Sequence, residues 1–327
     1  MDISEVIKKE RPNISDATLK AYVSNINKLH RRMTDKDKIE NLDFLRNYDK
    51  VLLTLGGLMK ATMKNYLVAI VVLLMSNKTE EHKSLIVKYN NRIKELADDI
   101  NDNYDENEKS DKQKKNWIEH SEVLQLLRKL KKETKTLLPS LDPVKAFDNT
   151  NKQLTNKEKD QIQQYLVLYL YSGKAFPVLR NDFGDMKVVK ETDEMDKDKN
   201  YFIIKKRGAP LFRLNEYKTA KFQGEKDIII KDMELRVLIH KWLGINKTGY
   251  LLINTSNDSP MKANGISKYL NKIFMKHLNK KISTSLLRSI YITNKYNGNM
   301  TTKDKKELAM DMGHTKSTAE TIYNKID

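Results

Sequence analysis

The chain has 327 residues, 39% of them hydrophobic, a size that favours two domains over one. It contains no cysteine, which excludes disulfides, thiolate nucleophiles and cysteine-based zinc sites. A net charge of +17 favours a polyanionic partner, because each phosphate neutralised by Lys or Arg releases condensed counterions; a solvated lysine-rich surface is the plainer alternative. The first residues, MDISEVIKKERPN, have no apolar core of a secretory signal. The longest apolar run, YLVAIVVLLM at 66–75, is too short to span a bilayer, so an intracellular location is expected.

Residues 1–100 read as helical. After the start signal PNISD, Leu19, Tyr22, Val23, Ile26 and Leu29 recur at helical spacing. MKATMKNYLVAIVVLLM and HKSLIVKYNNRIKELADDI predict two further helices. A stretch almost empty of apolar residues and full of charge and Asn follows, and 106–116 is read as a linker. Beyond it, SEVLQLLRKLKKETKTLL predicts a helix with Ser121 as its cap. TNKEKDQIQQYLVLYLYSG predicts another, opened by a capping box of Thr155 with Glu158 and stopped at Gly173. Three short β-type segments come next: MKVVK, YFIIKK, and LFRLNEYK leading through TAKFQGEK into DIII. The chain then returns to helix in MELRVLIHKWLG, GISKYLNKIFMKHL and STSLLRSIYITNKY. Two more capping boxes are expected, Thr301 with Asp304 and Ser317 with Glu320, the second opening a short helix that carries Tyr323. The fold class is therefore mainly α with a small β-insert: a helical domain at 1–105, the linker, and a second domain at 117–327.

The C-terminal stretch reads SLLRSIYIT with Arg288, then MGH ending at His314, then Tyr323 nine residues later. Breaking a phosphodiester by covalent catalysis needs a nucleophile, positive charge on the non-bridging oxygens and a proton for the leaving oxygen. A phenol is a poor nucleophile at neutral pH unless neighbouring cations favour its phenolate. Arginine suits phosphate because its planar fork donates two parallel hydrogen bonds and stays charged. This arrangement resembles the tyrosine recombinases, the phage-type integrases, whose C-terminal pattern runs HxLR, then LGH, then a Tyr nine residues on. The order of a helical domain, a linker and a mostly helical domain with a β-insert is similar to that family's core-binding and catalytic domains, which clamp DNA between them.

The resemblance implies Tyr323 as nucleophile, Arg288 as a phosphate ligand and His314 as a phosphate hydrogen bonder or proton-transfer partner. The family's first arginine usually follows a Gly in a TGLR-like box, where this chain has Lys174. PVLRNDFGDM instead matches a variant pattern of recombinases from large DNA viruses and related mobile elements, and points to Arg180 in preference to Lys174. The family's acidic residue is then Asp182 by proximity. A catalytic lysine sits in a β-hairpin of this family; NEYKTAKFQGEK offers Lys218 and Lys221, with Lys218 preferred as general acid. Ser285 stands where the family histidine of HxxR belongs; it either donates to a phosphate oxygen or caps its helix.

The family likeness implies DNA integration or recombination through a 3′-phosphotyrosyl intermediate, without metal, nucleotide or other cofactor. The six histidines are scattered without ligand spacing. It implies double-stranded DNA as partner and a homotetramer assembled on DNA from monomers, with no membrane association. Only NKID follows Tyr323, so no long tail is expected to dock into a neighbour. Two rival readings fit the same residues: a type IB topoisomerase that relaxes supercoils as a monomer, and a catalytically inactive DNA-binding protein of the same fold.

Overall fold

Side-chain caps start most helices of the N-terminal unit, Met1–Glu106, in the computed structural model, which describes residues 1–76, 79–105, 107–138 and 154–325. Asp2 accepts from the amides of Ser4 and Glu5 to open α1 (Ile3–Glu10). Ser15 caps α2 (Asp16–Thr34), as the start signal PNISD implies. The short α3 (Tyr48–Leu55) is capped by Asn47. Neither α1 nor α3 is apparent from periodicity, since eight residues show too few turns to set a period. α4 (Lys60–Met75) buries Tyr66, Leu67 and 69–74 almost without interruption and forms the centre of this unit, with α1, α2 and α5 (Glu80–Asp105) against it. Among the described residues no helix is long and apolar enough to cross a membrane.

The chain divides after Glu106, and Asn107–Asp327 forms the second unit. The polar stretch read as a linker holds a helix of its own, α6 (Asp111–Asn116), opened by a capping box of Ser110 and Gln113. The Asn116 carboxamide accepts from the Lys281 amide at 2.7 Å, so α6 packs into the second unit. α7 (His120–Thr134) is capped by Glu119, with Glu122 completing the box, and not by Ser121, which lies already inside the helix. The Thr155–Glu158 box opens α8 (Asn156–Tyr171) as read. Every residue of α8 from Ile162 to Tyr171 is buried, which makes it the core helix of the unit. Its Gln163 carboxamide bonds both the amide and the carbonyl of Ile253, at 2.9 and 2.8 Å, satisfying a buried polar side chain completely on that side.

The β-type segments form a four-stranded sheet in chain order: β1 (Lys187–Lys190), β2 (Tyr201–Ile204), β3 (Leu211–Leu214) and β4 (Lys226–Ile229). β1 runs parallel to β2, with Lys187 opposite Tyr201, and the other pairs are antiparallel. Between β3 and β4 lies the helical turn α9 (Ala220–Gln223). An aromatic cluster ties the sheet to α8: Phe183 lies 4.9 Å from Phe212 and 5.5 Å from Tyr171, ring centre to ring centre. The remaining elements are α10 (Met233–Ile245), the two-residue pair β5 (Ile253–Asn254) and β6 (Ser259–Pro260), α11 (Ala263–Leu278), α12 (Thr284–Tyr296) and α13 (Thr302–Asp311). The Thr301–Asp304 box opens α13 as read. The last turn starts one cap earlier than Ser317: Thr315 accepts from the Thr318 amide and opens α14 (Lys316–Thr318), which passes into a single π-helical turn, Ala319–Tyr323. The second unit is thus mainly helical with a small mixed sheet, and residues 326–327 of the C-terminal tail lie outside the described residues.

Candidate active site

The first arginine arrives on the loop that leaves α8. Gly173 turns the chain there with φ +71°; a Cβ on it would stand 2.3 Å from the Tyr291 ring, so only glycine fits. Arg180 is then held on three sides. The Tyr171 hydroxyl donates to its carbonyl at 2.7 Å, its amide donates to Asp182 Oδ2 at 3.1 Å, and its Nη1 donates to the Gly313 carbonyl at 2.9 Å. Gly313 has φ +73°, and an added Cβ would come to 3.2 Å from Arg180 Nη1. The Gly before His314 therefore lets main chain and guanidinium meet. Lys174 is engaged elsewhere: its Nζ lies 2.5 Å from Glu234 Oε2 and 4.8 Å from the centre of the Tyr169 ring.

Arg288 lies in the first half of α12, where every residue from Leu286 to Thr293 is buried. It is 1% exposed, and it donates from Nη1 to the Val178 carbonyl at 2.7 Å and from Nη2 to the Met312 carbonyl at 3.0 Å. These are neutral partners, so the guanidinium keeps its charge uncompensated by a hydrogen-bonded carboxylate. Its Nε is buried without a partner. Burial draws the Arg288 guanidinium below its ordinary range, but arginine starts so high that it stays charged. A buried cation of this kind favours an incoming anion.

Tyr323 closes the site from the C-terminal side. Its ring centre is 4.8 Å from Arg288 Cζ and 5.0 Å from the His314 ring, on which it stacks at 21°. The π turn is fixed by the Asn324 amide on the Ala319 carbonyl, and Thr293 Oγ1 of α12 accepts from the Lys325 amide at 2.9 Å. Burial by itself would raise the Tyr323 phenol. The charge of Arg288, then those of Arg180 and Lys218, outweigh burial and hold the phenol below its ordinary value. Tyr291 and Tyr296, the other tyrosines of this region, go the opposite way: burial pushes each up to about 12. The phenol suited to become a nucleophile is thus singled out by its neighbours.

His314 is buried, and burial together with Arg288 pulls its imidazole down to about 4, so it is neutral at pH 7. Its Nδ1 lies 3.2 Å from the Thr315 carbonyl, which can only accept; the ring therefore carries its proton on Nδ1. Nε2 is left as a buried acceptor without a partner. Asp182 sits beside Arg180. Burial raises its carboxyl, and the charges of Arg180 and Arg288 only partly offset this. Lys218 is exposed on the loop between β3 and β4, yet its charge reaches the Tyr323 phenol. Lys221 is exposed on α9. Ser285 is exposed in the first turn of α12 and does not cap it; Ser283 does, accepting from the Leu286 amide.

Arg180, Arg288, His314 and Tyr323 thus converge, with Asp182 beside them and Lys218 at their edge. Three further residues hold the site and carry no sequence signal of their own. Thr219 donates to the Gly313 carbonyl at 3.1 Å from the lysine-bearing loop. Asn181 Oδ1 accepts from Thr284 at 2.6 Å, one turn before Arg288, and so ties the Arg180 loop to α12. Lys226 of β4 donates to the Asp311 carbonyl at 2.6 Å and caps the end of α13 just before Gly313. Among the described residues no group of three or more His, Asp or Glu comes together that could hold a metal ion. No known family model matches the chain, and no curated protein is similar to it at a meaningful level.

Proposed function

We propose that the protein is a site-specific DNA recombinase or integrase that cuts and rejoins strands through a 3′-phosphotyrosyl intermediate. The observation that carries this reading is the seating of the Tyr323 phenol under Arg288 and against His314, with its proton affinity lowered against the effect of burial. No other described tyrosine near the site is activated in this way; Tyr291 and Tyr296 are deactivated.

In this reading a backbone phosphate enters between Arg180 and Arg288, which stabilise the charge that develops on its non-bridging oxygens. Tyr323 Oη attacks phosphorus and forms the phosphotyrosyl ester. The phenolic proton passes to His314 Nε2, which is free to accept it. The imidazolium so formed then donates to the phosphate. The bond to the 5′-oxygen breaks, and Lys218 supplies that oxygen's proton. The ester conserves the phosphodiester energy, so the reverse attack by a 5′-hydroxyl reseals DNA. The net charge of +17 suits double-stranded DNA as partner; neutralising that self-repelling charge on DNA favours assembly there, for which we propose a tetramer.

The test is covalent trapping on nicked duplexes, read as a band on a denaturing gel. The wild-type chain should form it and Tyr323→Phe should not, while DNA affinity stays within about twofold because many lysines share it. A trapped band with Tyr323→Phe would remove Tyr323 from the role.

A further inference from the structure

The loop between β3 and β4 carries a side chain that neither the fold nor the chemistry above uses. Phe222 is 91% exposed, and it is the one aromatic among the strongly exposed large hydrophobic side chains of the described residues. Its loop is nevertheless firmly built. The Phe222 and Gln223 amides both donate to the Thr219 carbonyl at 3.0 Å, and the Gly224 amide to Ala220 at 2.8 Å. The Tyr217 hydroxyl closes the loop onto the Gly224 carbonyl at 2.9 Å. Thr219 anchors the whole turn to Gly313, the residue that Arg180 also holds. Exposed Lys218 and Lys221 stand on the same turn, and Lys218 acts on the Tyr323 phenol through its charge. A hydrogen-bonded turn therefore presents a bare aromatic ring together with two cations, tied through Thr219 to Gly313 beside Arg180.

An aromatic ring with cations beside it is the composition that meets a nucleic-acid base while its neighbours meet the backbone. Resting on the function proposed above, we infer that Phe222 is the base-contacting residue of this site. Its ring packs against the base step next to the phosphate held by Arg180 and Arg288, and so favours steps that unstack easily. Pyrimidine–purine steps are the most deformable and should be selected. Lys218 and Lys221 on the same turn then lie along the backbone.

The test uses the full chain and a pool of nicked duplexes randomised on both sides of the nick. Covalent complexes are isolated on denaturing gels, and the attached DNA is sequenced. The wild-type chain should enrich pyrimidine–purine steps beside the attached nucleotide. Phe222→Ala should lower the trapped yield about tenfold and erase that enrichment, and Phe222→Trp should restore both. Lys221→Ala should lower yield without altering the enrichment. Phe222 is so exposed that Phe222→Ala should melt with the wild-type chain. Unchanged enrichment in Phe222→Ala overturns the inference. Normal trapping of single duplexes with loss of two-duplex complexes overturns it too, and assigns Phe222 to contact between copies of the chain. No covalent complex from the wild-type chain removes the recombinase reading itself, and this inference with it. That outcome is distinct from a trapping wild type whose preferences Phe222→Ala leaves intact.

Discussion

Arg288 in the first half of α12, with buried His314 and half-buried Tyr323 against it, sits in packed protein, whereas Lys218, Lys221 and Phe222 stand on an exposed loop. Arg288, and half-buried Arg180 beside it, are tied by hydrogen bonds to main chain from distant segments: Val178 and Met312 for Arg288, Gly313 for Arg180. The loop is tied to that group through Thr219 alone among the contacts described above. Under the proposed function the two regions have different work. Stabilising a charged transition state rewards fixed cations in a water-poor setting, because they need no reorganisation when the charge appears. Donating a proton to a leaving oxygen and touching a base require reach toward a large substrate instead. Losing a buried cation should therefore damage both chemistry and fold, and losing a loop side chain should damage chemistry alone.

Arg288→Ala should show the largest effect. Cleavage should fall by about a thousandfold or more, as the loss of a principal electrostatic contact does. The Val178 and Met312 carbonyls would lose their donor, so stability should fall by about 3 kcal/mol. Urea unfolding beside a trapping assay checks both, and an unchanged midpoint would contradict the buried role assigned to Arg288. Arg180→Ala should lose cleavage by about a hundredfold or more, while Lys174→Ala, whose amine is engaged by Glu234, should cleave like the wild-type chain. The reverse order would move the first arginine's role to Lys174.

Lys218→Ala sharpens the comparison, because it should lower cleavage by about a hundredfold with no change in the unfolding midpoint. A substrate with sulfur as the 5′-bridging atom leaves without protonation. It should rescue Lys218→Ala and not Arg288→Ala; rescue of Lys221→Ala in its place would transfer the proton-donor role along the loop.

Acid should separate the regions again. Folded His314 takes up a proton near 4, against 6.5 for an unfolded imidazole. Between those values the unfolded chain binds the proton first, so this residue makes stability rise with pH from about 4 to 6.5 and contributes no further slope above. His314→Gln should flatten that part of the stability profile relative to the wild-type chain, and an unchanged slope would show that the imidazole is not held neutral. The smallest effect is expected at Ser285, which is exposed and caps nothing. Ser285→Ala should change stability by less than about 0.5 kcal/mol and cleavage by less than about twofold.

Local chemistry was readable along the chain wherever a few adjacent residues decide the outcome. The boxes Thr155–Glu158 and Thr301–Asp304 close over three residues, and both form. The β-type segments and the apolar run of α4 likewise follow from short-range pattern, though a helical turn at Ala220–Gln223 splits the third segment into β3 and β4. Caps failed where two neighbouring residues compete: Glu119 caps α7 in place of Ser121, and Thr315 opens the last turn in place of Ser317. The residue types around Tyr323, and its spacing from His314, were also present in the sequence. What spacing cannot carry is which groups meet. Arg180 reaches Gly313 across 133 residues, and Thr219 reaches it across 94. Lys226 caps α13 from 85 residues away, and Lys174 is withdrawn by Glu234 across 60. Such contacts depend on how sheet and helices pack, which no window of sequence contains. The same holds for the Tyr323 phenol: its residue type sets a high starting value, and only the placing of Arg288, Arg180 and Lys218 around a half-buried ring brings it down.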